Sequence, residues 1–331
     1  DDSTPRTVVD LHRGIDDMYR VKPTKGDAFV VNGDHIFSFY KTAEKKGEEP
    51  MIFEGTAKWI HDSSKWRKHI TKLRRAPVDF KGSKELPIDP YALGVLLGDG
   101  HLSGAPSINN PDMEIADYMR KFANNMGLNF NLLEERKSSS NYSITDPKAS
   151  SVNQNRLTAA LSSLGLWGKL SGDKFIPHTY KTARKQDRLA ILAGLLDTDG
   201  HLCRSGYDYA SKSKQLADDV VFICRSLGLS AYVSAQRKSC QTGYSGIYHR
   251  VSISGDCSII PCKVERKKAP KRKQIKNTLV TGFTIEEIGK GEYYGFELDG
   301  NKLYLDSQFI VHHNSGKSLV VADIARRLYE I

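Results

Sequence analysis

Apolar and polar positions alternate along residues 6–40 in "RTVVDLH", "MYRVKPT" and "DAFVVNGDHIFSFY", separated by turn residues at Thr24-Lys25-Gly26-Asp27 and Asn32-Gly33. Period-two alternation bounded by such turns predicts short β-strands. Residues 41–75 turn polar and lysine-rich. Within them "GTAKWIHDSSKWRKHITKLRR" has the spacing of an amphipathic helix, and "ELPIDP" stops that pattern before an apolar segment at Tyr91. A domain boundary is expected near 80–88. Past the basic stretch "CKVERKKAPKRKQIK" (262–276), which reads as a linker, "TGFTIEEIG", "YYGFELDG" and "KLYLDSQFIVHHN" return to short strands with an Asp-Gly turn.

Between these β segments the chain repeats itself. "ALGVLLGDGHLSG" (92–104) recurs as "LAGLLDTDGHLCRSG" (192–206), with the shared "DGHL" offset by one hundred residues. "EIADYMRKFANNMGLNFNLLEERKSSSNYSIT" follows the first copy and "QLADDVVFICRSLGLSAYVSAQRKSCQTGYSGIYHRVSIS" the second. Each reads as a helix, a glycine stop (Gly127, Gly228), a strand ending in "ERKS" or "QRKS", a turn and another strand. Two copies of one α-β-β unit predict a pseudo-twofold domain over about 88–268, inserted into a β framework.

Composition adds a partner. The 331 residues carry a formal net charge of +10, which favours a polyanion such as DNA or RNA over a merely solvated basic surface only once motifs agree. Five cysteines form no zinc-like spacing and read as core or incidental thiols in a reducing compartment. No apolar run approaches the length of a membrane span, and no signal-like start is present. The first residue is Asp1 and Ile331 falls inside a helical pattern, so both ends read as cut ends.

Gly94 and Gly98 lie on one helix face, as do Gly194 and Thr198, so the two repeated helices can pack with backbones nearly touching. Asp99 and Asp199 end these helices at the negative pole of the dipole, where carboxylates are disfavoured. Two converging there repel each other unless a divalent cation lies between or beside them. On a basic protein this points to phosphodiester hydrolysis. Asp-Gly is also a common helix-ending turn; its recurrence in matched context argues against that reading.

These residues resemble the paired LAGLIDADG motifs of homing endonucleases, and "LAGLLDTDG" differs from that pattern at two positions. The resemblance implies Mg²⁺ or Mn²⁺ bound by Asp99 and Asp199, with the carbonyls of Gly98 and Thr198 as weaker candidates. Asp197, matched by Leu97, is not implied as catalytic. The family's lysine near the reacting phosphates, in a K-x-I-P pattern, corresponds to Lys174 in "KFIP". Its second-half counterpart falls among Lys263, Lys267 and Lys268, of which Lys267 is nominated. The strands bearing "ERKS" and "QRKS" resemble the DNA-reading sheet, with Arg136, Lys137, Arg237 and Lys238 as contacts to a double-stranded target.

A β framework interrupted in this way resembles an intein, a self-excising element of the Hint fold that needs no cofactor for splicing. "VHHN" followed by Ser315 matches an intein end, and "NGDH" resembles the internal T-x-x-H motif with Asn32 replacing threonine. The resemblance implies that Asn314 cyclises, His313 polarises its carbonyl, His312 assists, and Ser315 attacks the upstream acyl group. His35 then acts on the upstream amide, and Asp306 on proton transfer during branching. The family's first nucleophile is not found at "DDSTPRTVV", so the splicing domain reads as N-terminally truncated. "SGKS" and the helix after it resemble the second half of a P-loop, which lacks its first glycine because position 311 is valine.

The expected architecture is thus multidomain. It comprises an all-β splicing domain (1–83 with a linker helix, and 269–314), an α+β endonuclease (84–268), and a flank (315–331) from a P-loop ATPase or helicase host. The chain is expected to be a monomer, intracellular, and microbial or phage-encoded. A DNA-binding element that no longer cuts, and an element limited to C-terminal cleavage, are the alternatives.

Overall fold

A computed structural model of the chain describes residues 3–43, 47–82, 85–136, 139–150, 154–239, 245–273 and 276–314. It forms two compact units, Asp1–Val78 with Lys276–Ile331, and Asp79–Ile275.

The chain starts with β1 (Val8–Pro23), β2 (Phe29–Asn32), β3 (Ile36–Lys41) and β4 (Met51–Thr56), then α1 (Ala57–Asp62), α2 (Lys65–Ile70) and β5 (Thr71–Arg74). The second unit follows with α3 (Pro90–Asp99), β6 (Gly100–His101), β7 (Ser107–Asn109), α4 (Met113–Asn125), β8 (Asn129–Arg136) and β9 (Ser139–Thr145). It continues through α5 (Arg156–Ser163), α6 (His178–Lys181), α7 (Lys185–Asp199), β10 (Gly200–Cys203), β11 (Gly206–Ser211), α8 (Lys214–Ser226), β12 (Ser230–Ser239) and β13 (Ser245–Ser254). The chain then returns to the first unit with β14 (Val280–Thr281), β15 (Phe283–Leu298), β16 (Leu303–Leu305) and β17 (Val311–His313).

The first unit departs from the sequence pattern in instructive ways. The two short strands expected before residue 24 are one long strand, β1, because β15 offers an antiparallel partner from Val8↔Leu298 to Pro23↔Phe283. Gly14 does not break it: the ring of Tyr293 lies where its Cβ would stand. Likewise "TGFTIEEIG" and "YYGFELDG" are one strand, in which Met18 pairs with Gly289 and Tyr19 with Glu287. Ile288 is therefore the extra residue of a bulge, and Gly289 tolerates it at φ +88°. The single helix expected in 55–75 is also wrong. Ser64 caps a new helix by accepting from the Arg67 amide, which splits α1 from α2, and residues 71–74 join β3 and β14 as a strand. Sheet pairing outweighs helix spacing there.

Strand order is β15-β1-β2 in one sheet and β14-β5-β3-β17-β16, with β4 also on β3, in the other. Tyr19, Val21, Val31, Phe37, Phe39, Ile60, Leu73 and Ile310 form their buried core.

In the second unit the repeat becomes two sheets of identical order, β6-β7-β9-β8 and β10-β11-β13-β12. The helices α3 and α7 are buried over nearly their whole length, which explains why apolar residues surround them rather than forming a stripe. They touch backbone to backbone: a Cβ on Gly94 would lie 2.4 Å from the Ile191 carbonyl oxygen and 3.0 Å from Gly194 Cα. Beyond Asn125 and Ser226, Gly127 (φ +67°) and Gly228 (φ +85°) make the left-handed turns that release α4 and α8 into their strands. The helices α5 and α6 were not legible as repeat elements. Residues 262–268, read as linker, instead fold onto this unit, with Cys262 and Val264 buried. Among the described residues no helix is long and apolar enough to cross a membrane.

Because the helix contact leaves no room for a methyl group, Gly94→Ala is expected to lower the unfolding free energy by about 1–3 kcal/mol in denaturant titration. Gly172→Ala, whose added Cβ meets nothing closer than 3.9 Å, serves as the control and should change it by no more than about 0.5 kcal/mol.

Candidate active sites

Asp99 and Asp199 are the last residues of α3 and α7. Each helix end is held by a lysine. Lys174 Nζ donates to the carbonyls of Leu96 (3.1 Å), Leu97 (3.0 Å), Gly98 (3.3 Å) and Gly100 (2.7 Å). Lys267 Nζ donates to those of Leu196 (3.1 Å), Asp197 (2.6 Å) and Thr198 (2.8 Å). A buried ammonium at a helix C-terminus satisfies orphan carbonyls and offsets the dipole, which lets a carboxylate stay there.

The mirrored geometry separates the three lysines of the second half. Lys263 Nζ lies over the rings of Tyr91 (4.8 Å) and Tyr118 (4.4 Å), and exposed Lys268 pairs with Glu265. Only Lys267 of these occupies the position equivalent to Lys174.

Charges converge at these ends. Burial pushes the Lys174 ammonium down to about 8 while Asp199 and Asp99 pull the other way. Burial also lowers Lys267, and Asp99 opposes it. The Tyr209 hydroxyl, on β11, is raised well above its usual range by burial and then by Asp199, with Asp99 adding to it. Asp99 is raised by burial, and Asn110, Lys267 and Lys174 only partly offset that. Asp99 is half-buried and Asp199 exposed, and carboxylate oxygens at such a rim are the donor type that a hard divalent cation takes. The carbonyls of Gly98 and Thr198 already accept from lysine, so the carboxylates are the better ligand candidates.

Several supporting residues escaped the sequence reading. Asn110 donates from Nδ2 to Asp99 Oδ2 (2.6 Å) and accepts from the Asp112 amide at Oδ1 (2.7 Å), so its amide can point only one way. Asp197 is buried and accepts from Tyr91 Oη (2.8 Å) and the Lys263 amide (2.6 Å), which fastens the segment carrying Lys267 to α7. Asp219 accepts from the Ile176 amide (2.8 Å) and Ser213 Oγ donates to the Lys174 carbonyl (2.6 Å), doing the same for Lys174. The available signal was positional: Asn110 directly follows β7 at the place where Ser211 ends the matching strand β11.

Of the proposed DNA contacts, Arg237 is exposed and donates to Ser245 Oγ (3.2 Å). Lys137 lies outside the described residues, as do the side chains of Arg136 and Lys238. The face of the second sheet opposite to Arg237 carries Arg250, ion-paired with Asp208 beside Ser252.

In the β unit, His35 follows the Gly33-Asp34 turn, with its amide donating to the Asn32 carbonyl (3.2 Å). Asn32 Nδ2 donates to Asp16 Oδ2 (2.9 Å). The strand β17 runs beside β3 and brings His312 opposite Phe37. The rings of His35 and His312 are fully buried and hydrogen-bonded, Nε2 to Nδ1, at 2.8 Å. Asp306 Oδ2 lies 3.4 Å from His312 Nε2, and its Oδ1 accepts from the amides of Gln308 and Ile310, both at 2.8 Å. Asn314 is buried and its amide donates to the Lys302 carbonyl (2.8 Å). His313 leans towards Glu54, 3.9 Å away, and Ser315 lies outside the described residues. The structure thus gathers His35, His312 and Asp306, with Asn32 and Asn314 on the adjoining chain.

Residues 186–259 match the LAGLIDADG-like domain family. The chain is 29% identical over 240 residues to a replicative DNA helicase DnaB of Mycobacterium intracellulare, covering 70% of this chain and 36% of that protein. It is 29% identical over 154 residues to the homothallic switching endonuclease of Saccharomyces cerevisiae, covering 41% and 26%. It therefore spans little more than a third of these curated relatives at most. A structure of the homing endonuclease I-DmoI with DNA and Mn matches at a TM-score of 0.35 and 14% identity, over 51% of this chain and 89% of that one. The inner unit is of α+β fold, and its second half matches the LAGLIDADG-like domain. With the helicase relative and the repeat, this supports an intein-type element carrying a LAGLIDADG endonuclease domain in a helicase.

Burial, then His312 and His313, hold His35 well below the ordinary imidazole range. Its folded pKa is lowered, so below about 6.5 the unfolded chain binds a proton that the folded chain refuses, and stability falls as pH falls. The unfolding free energy should drop by up to about 1.4 kcal/mol per pH unit below 6.5 from this group. Denaturant titrations of wild type and His35→Gln across pH 5–8 check this, with a shallower slope expected in the variant.

Proposed function

We propose that the chain is a self-splicing intein that excises from a P-loop helicase host and carries a site-specific homing endonuclease for double-stranded DNA. The observation carrying the endonuclease part is the mirrored pair of helix ends, each with one aspartate and one lysine whose ammonium is held by the last carbonyls of the helix. In this reading Asp99 and Asp199 hold Mg²⁺ or Mn²⁺, which supplies polarisation of the phosphodiester and a more acidic water. Lys174 and Lys267 fix the helix ends and lend positive charge towards the reacting phosphate. Asn110 holds the Asp99 carboxylate in one orientation. Arg237, Arg136, Lys137 and Lys238 contribute to backbone contact along the strands.

For splicing, Asn314 Nδ2 attacks the Asn314 backbone carbonyl carbon. A succinimide forms, the Asn314–Ser315 peptide bond breaks, and the Ser315 amine takes up a proton. Before that break, the Ser315 hydroxyl attacks the acyl carbon of the upstream junction, beside which His35 acts; the bond from that carbon to the first residue of the element breaks, and once the Ser315 amine is free the ester shifts to it as a peptide bond. The buried histidine cluster next to Asn314 supports this part. The P-loop flank implies that the host gains its nucleotide site only after splicing. A monomer inside the cell is consistent with both activities.

A plasmid carrying the uninterrupted host P-loop coding segment should be linearised in Mg²⁺. Asp99→Asn and Asp199→Asn should each slow cutting on the order of a hundredfold or more. Retention without cutting by the wild type in a gel-shift assay would favour a DNA-binding element that no longer cleaves. Asn314→Ala should abolish release of the peptide beginning at Ser315, read by mass spectrometry; unchanged release removes Asn314 from the chemistry.

A further inference from the structure

The hydrogen bond between His35 and His312 has a directional consequence. Two neutral imidazoles joined Nε2 to Nδ1 share a single N–H, so one ring donates and the other accepts. Both rings are fully buried, where an unpaired donor or a bare nitrogen facing a carboxylate is costly. Asp306 decides between the two arrangements. Its Oδ1 is pinned by the amides of Gln308 and Ile310, so the carboxylate cannot turn away, and its Oδ2 stands 3.4 Å from His312 Nε2.

A proton on His312 Nε2 faces that carboxylate favourably, by charge across 3.4 Å and not through a formed hydrogen bond. His312 Nδ1 is then the acceptor and His35 Nε2 the donor. The remaining nitrogen, His35 Nδ1, is buried and has no hydrogen-bond partner among the described residues, which suits a lone pair better than an N–H. The opposite arrangement would set a bare His312 Nε2 against the carboxylate and bury an unpaired N–H at His35. The stack of Tyr304 on His312 (5.1 Å between centroids, 23° between planes) and the Phe29 and Phe37 rings beside it hold the ring in this orientation.

We infer that His312 and Asp306 are positioning residues that fix His35 as its Nε2–H tautomer and leave His35 Nδ1 as a preset proton acceptor for the upstream junction. This rests on the splicing reading and deepens it: the sequence resemblance implied His312 only as an assistant to Asn cyclisation. The alternation along β17 adds a second link. His312 and Asn314 are fully buried while His313 between them is partly exposed, so His312 shares its strand face with Asn314. One imidazole thereby lies between the group serving the upstream junction and the residue that breaks the downstream bond. His313 remains close enough to disfavour charge on His35.

The test uses the full chain labelled with ¹⁵N-histidine, with long-range ¹H–¹⁵N correlation spectra at neutral pH and His35→Gln to assign the ring. A protonated Nε2 and unprotonated Nδ1 at His35 are expected. His312→Gln, whose side-chain oxygen can still accept from Nε2, should retain that pattern. His312→Leu and Asp306→Asn should convert His35 to a mixture of tautomers. His312→Leu should also slow release of the Ser315 peptide at least about tenfold, and His312→Gln should restore most of it. A proton on Nδ1 of His35 in the wild type overturns the inference, as does an unchanged tautomer in both His312→Leu and Asp306→Asn. Absence of any Ser315 peptide from the wild type would sink the splicing reading instead, while the ring spectra still decide the tautomer.

Discussion

The contact between α3 and α7 is made by backbone rather than side chains, and the inner unit depends on it. With Gly94 against Gly194 there is no layer of side chains between the helices, so both C-termini are carried to one place. That closeness creates an electrostatic problem. Two negative dipole ends meet there with two carboxylates, Asp99 half-buried and Asp199 exposed, and the repulsion grows towards the buried side as the dielectric falls. The ammonium groups of buried Lys174 and half-buried Lys267 answer it from within the protein. A cation at the carboxylates would answer the rest. The same packing that builds the core therefore also brings Asp99, Asp199, Lys174 and Lys267 together at the helix ends.

Neither lysine could reach its position unaided, since the segments bearing them have little regular structure. Asp219 and Ser213, at the start of α8, tie down residues 174–176, and Asp197 ties down residue 263. The asymmetry at position 97/197 follows from this. One half fastens its lysine through a carboxylate on the central helix, the other through a carboxylate on the flanking helix. Asp197 is thus explained as a structural anchor, which agrees with its having leucine in the matching place.

In the β unit the governing relation is between strands distant in sequence. The pairing of β17 with β3 puts the last described residues beside the Asn32–His35 turn. Asp306, locked by its own hairpin, then acts on His35 through His312. A short line of this kind, one hydrogen bond between the rings and one charge facing the far ring, lets one hairpin bias the protonation of a residue on another strand.

The sequence by itself determined the elements whose periodicity is long and uninterrupted: the duplicated apolar helices, the glycines that let them touch, the aspartates at their ends, and the alternating strands on either side. It also singled out Lys174 through its local motif and Asn314 through its place in "VHHN". What it could not determine was anything depending on a partner far along the chain. The long strands β1 and β15 looked like four short ones because each lends the other its hydrogen bonds, and "GTAKWIHDSSKWRKHITKLRR" looked like one helix because the pull of β3 and β14 on its last residues is absent from the local pattern. Lys263, Lys267 and Lys268 are equivalent as letters in a basic run, and only the fold of 262–268 onto α7 separates them. The same holds for His312 and His313, which the pleat of β17 turns to opposite sides. Local propensity and periodicity are written in neighbouring residues, whereas ladder pairing, burial and charge convergence arise between segments brought together only when the chain has folded.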